Sequence, residues 1–205
     1  MARPRKDADG PGARERIADA FWDLLERMPR SSITVGTVVD EARCNRGTFY
    51  YYFADLDALA ESVVREEFFA DDALVRAIFG ALVEGDAGSI ERRVPRRRLH
   101  RMAVAIRAGE RRLVERTVHE EVLRRWESCL CAEGEHLEPA ARFAIQFMVS
   151  GVLGFISEVS ERGISPCPLP ADAHVYLASV SRATLETVAR AQNLTPVEVL
   201  ARVFD

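Results

Sequence analysis

Thr34-Val35-Gly36-Thr37-Val38-Val39-Asp40-Glu41-Ala42-Arg43-Cys44-Asn45-Arg46-Gly47-Thr48-Phe49-Tyr50-Tyr51-Tyr52-Phe53 is the stretch on which the fold turns. Thr34 is a good N-cap, because its hydroxyl can accept from a backbone N–H one turn into a helix. Val38, Val39 and Ala42 supply one buried side of a helix about two turns long. Arg43 and Cys44 follow as a tight turn. Asn45 then caps a second short helix over Arg46–Phe53. Two short helices joined this way form a helix-turn-helix, in which the second helix can enter a major groove while the first crosses the backbone.

Spacing sorts the second helix. Phe49 and Phe53 stand four apart and are expected to pack inward on a preceding helix. Thr48, Tyr51 and Tyr52, three to four apart, can share an exposed face. Three consecutive tyrosines point in three directions, so they cannot all be buried on one short helix. Arg46, in the first turn, can reach guanine O6 and N7 or a phosphate. Thr48 offers a hydroxyl and a methyl to a base edge or a thymine methyl. The Tyr50 hydroxyl suits a phosphate. Thr34 and Asn45 would bring helix N-termini toward phosphates.

Working outward, Ile17, Phe21, Leu24, Leu25 and Met28 repeat at helical spacing and predict a first helix over 13–28, stopped by Pro29. A fourth helix starts at Asp55 with Leu56, Leu59, Val63 and Val64 on its apolar side. Residues 1–13 are polar, contain Gly10, Pro11 and Gly12, and read as a flexible arm; Arg3, Arg5 and Lys6 give it the means to touch DNA. The reading places a DNA-binding domain over 14–69 and a second helical domain over 70–205.

Over about residues 14–65 the chain resembles the TetR family of transcription regulators. The run Arg46-Gly47-Thr48-Phe49-Tyr50-Tyr51-Tyr52-Phe53, followed by Asp57-Ala58-Leu59, is similar to that family's recognition helix and the start of its next helix. Thr34, Val38, Val39 and Ala42 match its scaffold helix. The resemblance implies that Tyr50 contacts phosphate and that Gly47, Thr48, Tyr51 and Tyr52 lie near bases or backbone. Two positions depart from the pattern. Arg43 stands where the family usually has a turn glycine, and Leu56 where it usually has a phosphate-binding lysine. Arg43 can restore that charge from a neighbouring position.

Beyond Asp71 the pattern stays helical, with helices predicted near 71–84, 89–109, 110–132, 138–162, 171–192 and 195–204. Pro95 should kink or split the second of these. Gly163 reads as a C-cap, Pro166, Pro168 and Pro170 as a connection, and Thr195-Pro196-Val197-Glu198 as a capping box. No stretch alternates as a strand would, so the fold class is all-α. The resemblance implies a homodimer built on the last two long helices. Candidate interface residues are Ser150, Gly151, Gly154 and Phe155 on one, and Leu177, Ser181, Thr184, Leu185 and Val188 on the other. It also implies a small-molecule effector site, for which Phe79, Met102, Ile106, Trp126, Phe143 and Phe147 are candidate wall residues. Those side chains suit a small apolar or aromatic effector, and ordinary core is the alternative reading for all of them. The arginines Arg92, Arg93, Arg96, Arg97, Arg98 and Arg101 read as a solvated face partly paired with glutamates, or else as an anion site.

Composition bounds the rest. The chain has 205 residues, 48% of them hydrophobic and 29% charged, which supports a sizeable core. Net charge is −4, and the first seventy residues carry ten Lys and Arg against thirteen Asp and Glu. Any grip on DNA must therefore come from local geometry. Cys44, Cys129, Cys131 and Cys167 form no CxxC pair and are expected to be reduced thiols; a redox-sensing pair that includes Cys44 is the alternative. His100, His119, His136 and His174 show no metal spacing, so no metal and no cofactor are expected. No GxSxG, P-loop, GxGxxG or HExxH motif points to an enzyme. The N-terminus has no apolar core of a signal peptide. The most apolar run, 143–156, is short for a bilayer span, so the expectation is a soluble, cytoplasmic protein with no membrane partner. The functional expectation is a repressor that binds a palindromic operator as a dimer and is released by an effector. An effector-independent or architectural DNA-binding protein of the same fold is the alternative.

Overall fold

The computed structural model describes residues 12–70, 95–162 and 171–204. Residues 1–11 of the expected arm over 1–13, the helix near 71–84, Phe79, Arg92, Arg93, Gly163, Pro166, Cys167, Pro168 and Pro170 lie outside the described residues. The protein is all-α, with no strand among the described residues. Its chain divides into two compact units, Met1–Val64 and Arg65–Asp205.

In the first unit, α1 (Ala13–Arg27) is followed by a short 3₁₀ turn at Arg30–Ser32, then α2 (Val35–Glu41), α3 (Arg46–Tyr52) and α4 (Leu56–Phe69). The division between the units falls within α4. Pro29 ends α1 because it cannot donate the next helical hydrogen bond. Ile17, Phe21, Val38, Phe49, Leu59 and Val63 are fully buried and form the centre of the unit, with α1, α2 and α3 packed on one another. Asp55 starts α4 by accepting from the Ala58 N–H at 2.8 Å.

The second unit contains the end of α4 together with α5 (Arg96–Ala105), α6 (Arg111–Leu130), α7 (Pro139–Glu161), α8 (Ala171–Ala191) and α9 (Pro196–Phe204). Pro95 caps α5 and so stands at its start, consistent with a missing N–H being harmless there. Between α5 and α6 the helix widens into a π turn, Ile106–Glu110, in which Gly109 takes φ +106°. That left-handed geometry suits glycine alone at little strain. Antiparallel α6 and α7 are laced along their length: Arg111 to Glu161 at 3.4 Å, His119 Nε2 to Ser150 Oγ at 2.9 Å, and Arg142 to Glu127 at 3.2 Å. α8 packs on α7 and on α9.

The helix containing the apolar 143–156 run extends past it on both sides. At 23 residues α7 is long and apolar enough, by length and composition, to cross a membrane. Its buried stripe of Ala141, Ile145, Met148, Val149, Leu153, Ser157 and Ser160 faces the neighbouring helices of the same chain, as a core helix does.

Buried charge in this unit is paired. Glu121, almost fully buried on α6, accepts from Arg65 of α4 and from Arg124 at 2.9 Å. Glu67 of α4 binds Arg101, with Arg97 at 3.5 Å. Part of the arginine cluster of α5 thus forms ion pairs with α4.

Candidate nucleic-acid interface

Local hydrogen bonding fixes the turn between α2 and α3. Thr34 accepts from the Thr37 N–H at 3.2 Å, and the Thr37 hydroxyl accepts from the Thr34 N–H at 2.9 Å, so each side chain satisfies an orphan donor of the other. α2 ends in a Schellman turn, with the Cys44 N–H donating to the Val39 carbonyl at 2.9 Å. The residue that turns the chain is Arg43, at φ +50°. A non-glycine residue is strained there. Asn45 Oδ1 then accepts from the Thr48 N–H at 2.8 Å and from the Thr48 hydroxyl at 3.2 Å. A Cβ on Gly47 would sit 3.1 Å from that same Oδ1, so glycine keeps the cap uncrowded.

The helix is held from behind and open in front. Phe49 and Phe53 are buried, and Arg14 of α1 lies over the Phe53 ring at 5.5 Å. The tyrosines all reach solvent: Tyr51 is 81% exposed, Tyr50 56% and Tyr52 40%. Tyr51 and Tyr52 meet edge to face at 4.8 Å, which stiffens the outward pair. Thr34, Arg43, Asn45, Arg46 and Gly47 are exposed beside them, and Thr48 is half-buried. The residues singled out from the sequence are therefore exposed or half-buried on the α2–α3 pair.

Electrostatics favour an anion at this surface in spite of the acidic count. From Ala42 to Ala54 there is no carboxylate, and Arg43 and Arg46 are both present. Of the acids that flank this segment, Asp40 is exposed and three others are engaged. Glu41 pairs with Arg27 at 2.9 Å, Asp57 pairs with Arg30 at 2.6 Å, and Asp55 caps α4. Burial pushes the Cys44 thiol above its usual range, with Arg16 opposing the shift, so Cys44 stays protonated. Gly36 is the feature that sequence reading missed: Arg46 Nη2 rests 3.6 Å from where a Cβ of residue 36 would be.

Several of the other candidate residues need correction. Met102, Ile106 and Trp126 are buried in the second unit. Phe143 and Phe147 are not wall residues of an interior site. They are 68% and 65% exposed, with rings 6.0 Å apart, because they occupy the face of α7 opposite Ile145 and Met148. On α8, Ser181, Thr184 and Val188 are buried within the single chain, so they are unavailable to a partner. The Ser181 and Thr184 hydroxyls donate to the Leu177 and Val180 carbonyls one turn back. Leu177 and Leu185 are half-buried. The open face of α8 instead carries Val175, Tyr176 and Ser179. On α7, Ser150, Gly151 and Phe155 are exposed and Gly154 is half-buried, on the same side as Phe143 and Phe147. No metal-binding cluster of His, Cys, Asp and Glu occurs among the described residues.

No family model matches the sequence, and no curated protein matches it. Among solved structures the chain is similar to the dihydroxyacetone kinase operon activator DhaS. Identity is 16%, coverage is 87% of this chain and 97% of that one, and the TM-score is 0.48.

Proposed function

We propose that the protein is a sequence-specific DNA-binding transcription regulator that presents α3 to the major groove. The single observation that carries the reading is a short helix whose phenylalanines are buried while three consecutive tyrosines face solvent, in a run of sequence without carboxylates. Exposed aromatics of this kind are unfavourable unless something covers them. A duplex groove offers hydrogen-bond partners at base edges and phosphates, and thymine methyls for apolar contact. Thr34, Arg43, Asn45, Arg46, Gly47, Thr48, Tyr50, Tyr51 and Tyr52 form the contact set, and residues 14–69 the reading domain. The similarity of this segment to the TetR pattern supports the same assignment.

One such head reads few base pairs, so the functional unit is a homodimer on a palindromic operator. The exposed stripe Phe143, Phe147, Ser150, Gly151, Gly154 and Phe155 of α7, with Val175 and Tyr176 of α8, is the proposed dimer face; its occupant is a second copy of the chain. Residues 70–205 form the dimerisation and sensing domain. A small apolar or aromatic effector bound near Met102, Ile106 and Trp126 shifts the population of head spacings and releases DNA, which makes the protein a repressor. The proposed location is the cytoplasm.

The test is selection of bound sequences from a random DNA pool. The expected result is a palindromic consensus with half-sites about one helical turn apart or a multiple of it, lost when Thr48→Ala and Tyr51→Ala are combined. A pool that yields no motif contradicts the reading.

A further inference from the structure

We propose that Arg46 clamps a DNA phosphate at the edge of the groove and reads no base; this rests on the assignment of α3 as the reading helix. The Arg46 guanidinium lies across the first turn of α2, with Nη2 3.6 Å from the position a Cβ would take on Gly36. It occupies space that a longer side chain at residue 36 would fill. Helical geometry sets its direction as well. Arg46 and Tyr51 are five residues apart, so they point about 140° apart around α3. Tyr51 is the most exposed residue of that helix's aromatic set, with Gly47 and Thr48 flanking it. A helix that enters the groove through this face turns Arg46 toward the groove wall, where phosphates lie and carry no sequence information. Tyr50, four residues on from Arg46, shares that side of the helix. Arg46 also has no ion-pair partner among the described residues.

A phosphate clamp and a base reader leave different signatures. The measurement is fluorescence anisotropy of the full-length protein from about 50 to about 200 mM salt. The probes are the duplex enriched by the wild type, its single-base-pair variants, and a scrambled duplex. Arg46→Ala is expected to weaken every duplex by a common factor of about tenfold, the scale of a lost charged hydrogen bond. The order of preference should be kept and the log–log salt slope reduced by about one. Gly36→Glu is expected to copy this signature, because a carboxylate at that position would pair with the guanidinium. Tyr51→Ala should instead relax the order of preference. A loss for Arg46→Ala confined to one base-pair position, or no loss at all, overturns the clamp while leaving DNA recognition by α3 intact. A wild type that enriches no duplex from the random pool overturns both.

Discussion

Phe49 and Tyr51 sit two residues apart on one short helix and take opposite environments, so substitutions at the two should separate stability from binding. Phe49 is fully buried, and Phe49→Ala is expected to destabilise the protein by about 3–5 kcal/mol through transfer and cavity terms. Tyr51→Ala should change unfolding free energy by no more than about 0.5 kcal/mol, as for other exposed sites, while removing much of the affinity for the selected duplex. Denaturant titration alongside anisotropy checks both. Arg43, at φ +50°, makes a third test. Arg43→Gly should raise stability by about 1 kcal/mol by relieving the left-handed strain, and it should weaken DNA if the guanidinium serves as the missing Leu56-position cation. The inward and outward residues of α3 were legible in the sequence because four-residue spacing is a local property. The Arg46–Gly36 approach was not, because it depends on the path of a long side chain between two helices.

At the scale of elements, caps decide where helices begin, and they can be read from sequence because their hydrogen bonds span three residues. Thr34, Asn45 and Thr195 are such cases. Asn45→Ala is expected to lower stability by about 1 kcal/mol and to loosen the start of α3. Glu198 adds a pH-dependent device. Its carboxylate accepts from the Thr195 N–H and the Thr195 hydroxyl, both at 2.7 Å, and these bonds hold its pKa below the ordinary value. A folded-state pKa that is depressed contributes stability above the unfolded carboxylate pKa, and that contribution is lost as pH falls through the lowered folded value. Thermal unfolding of wild type and Glu198→Gln across the acidic range should therefore converge at low pH and diverge toward neutrality. Faces of the long helices were less legible. Both sides of α7 and α8 carry apolar or small residues, so periodicity yields stripes without saying which stripe meets which neighbour. Spacing alone therefore assigns Ser181, Thr184 and Val188 to a partner, whereas they are buried, and Phe143 and Phe147 to the interior, whereas they are exposed. The Glu121–Arg65 pair joins residues 56 apart in the chain, a distance at which no local pattern speaks.

For the whole molecule, assembly is the property that joins these parts. If the α7 stripe is the dimer face, Phe147→Glu places a charge in an apolar contact, and sedimentation should show monomer where the wild type shows dimer. Unfolding of the isolated monomer should be little changed, since Phe147 is 65% exposed in the single chain. The all-helical class was legible throughout, because no segment alternates with the period of a strand. The account finally depends on one surface, and backbone amide mapping of the full-length protein with the selected duplex tests it most directly. Chemical-shift changes concentrated between Arg43 and Tyr52, at protein-to-duplex ratios of two chains per site, are the predicted result. Perturbations that fall elsewhere, with α3 unchanged at saturating duplex, would contradict it.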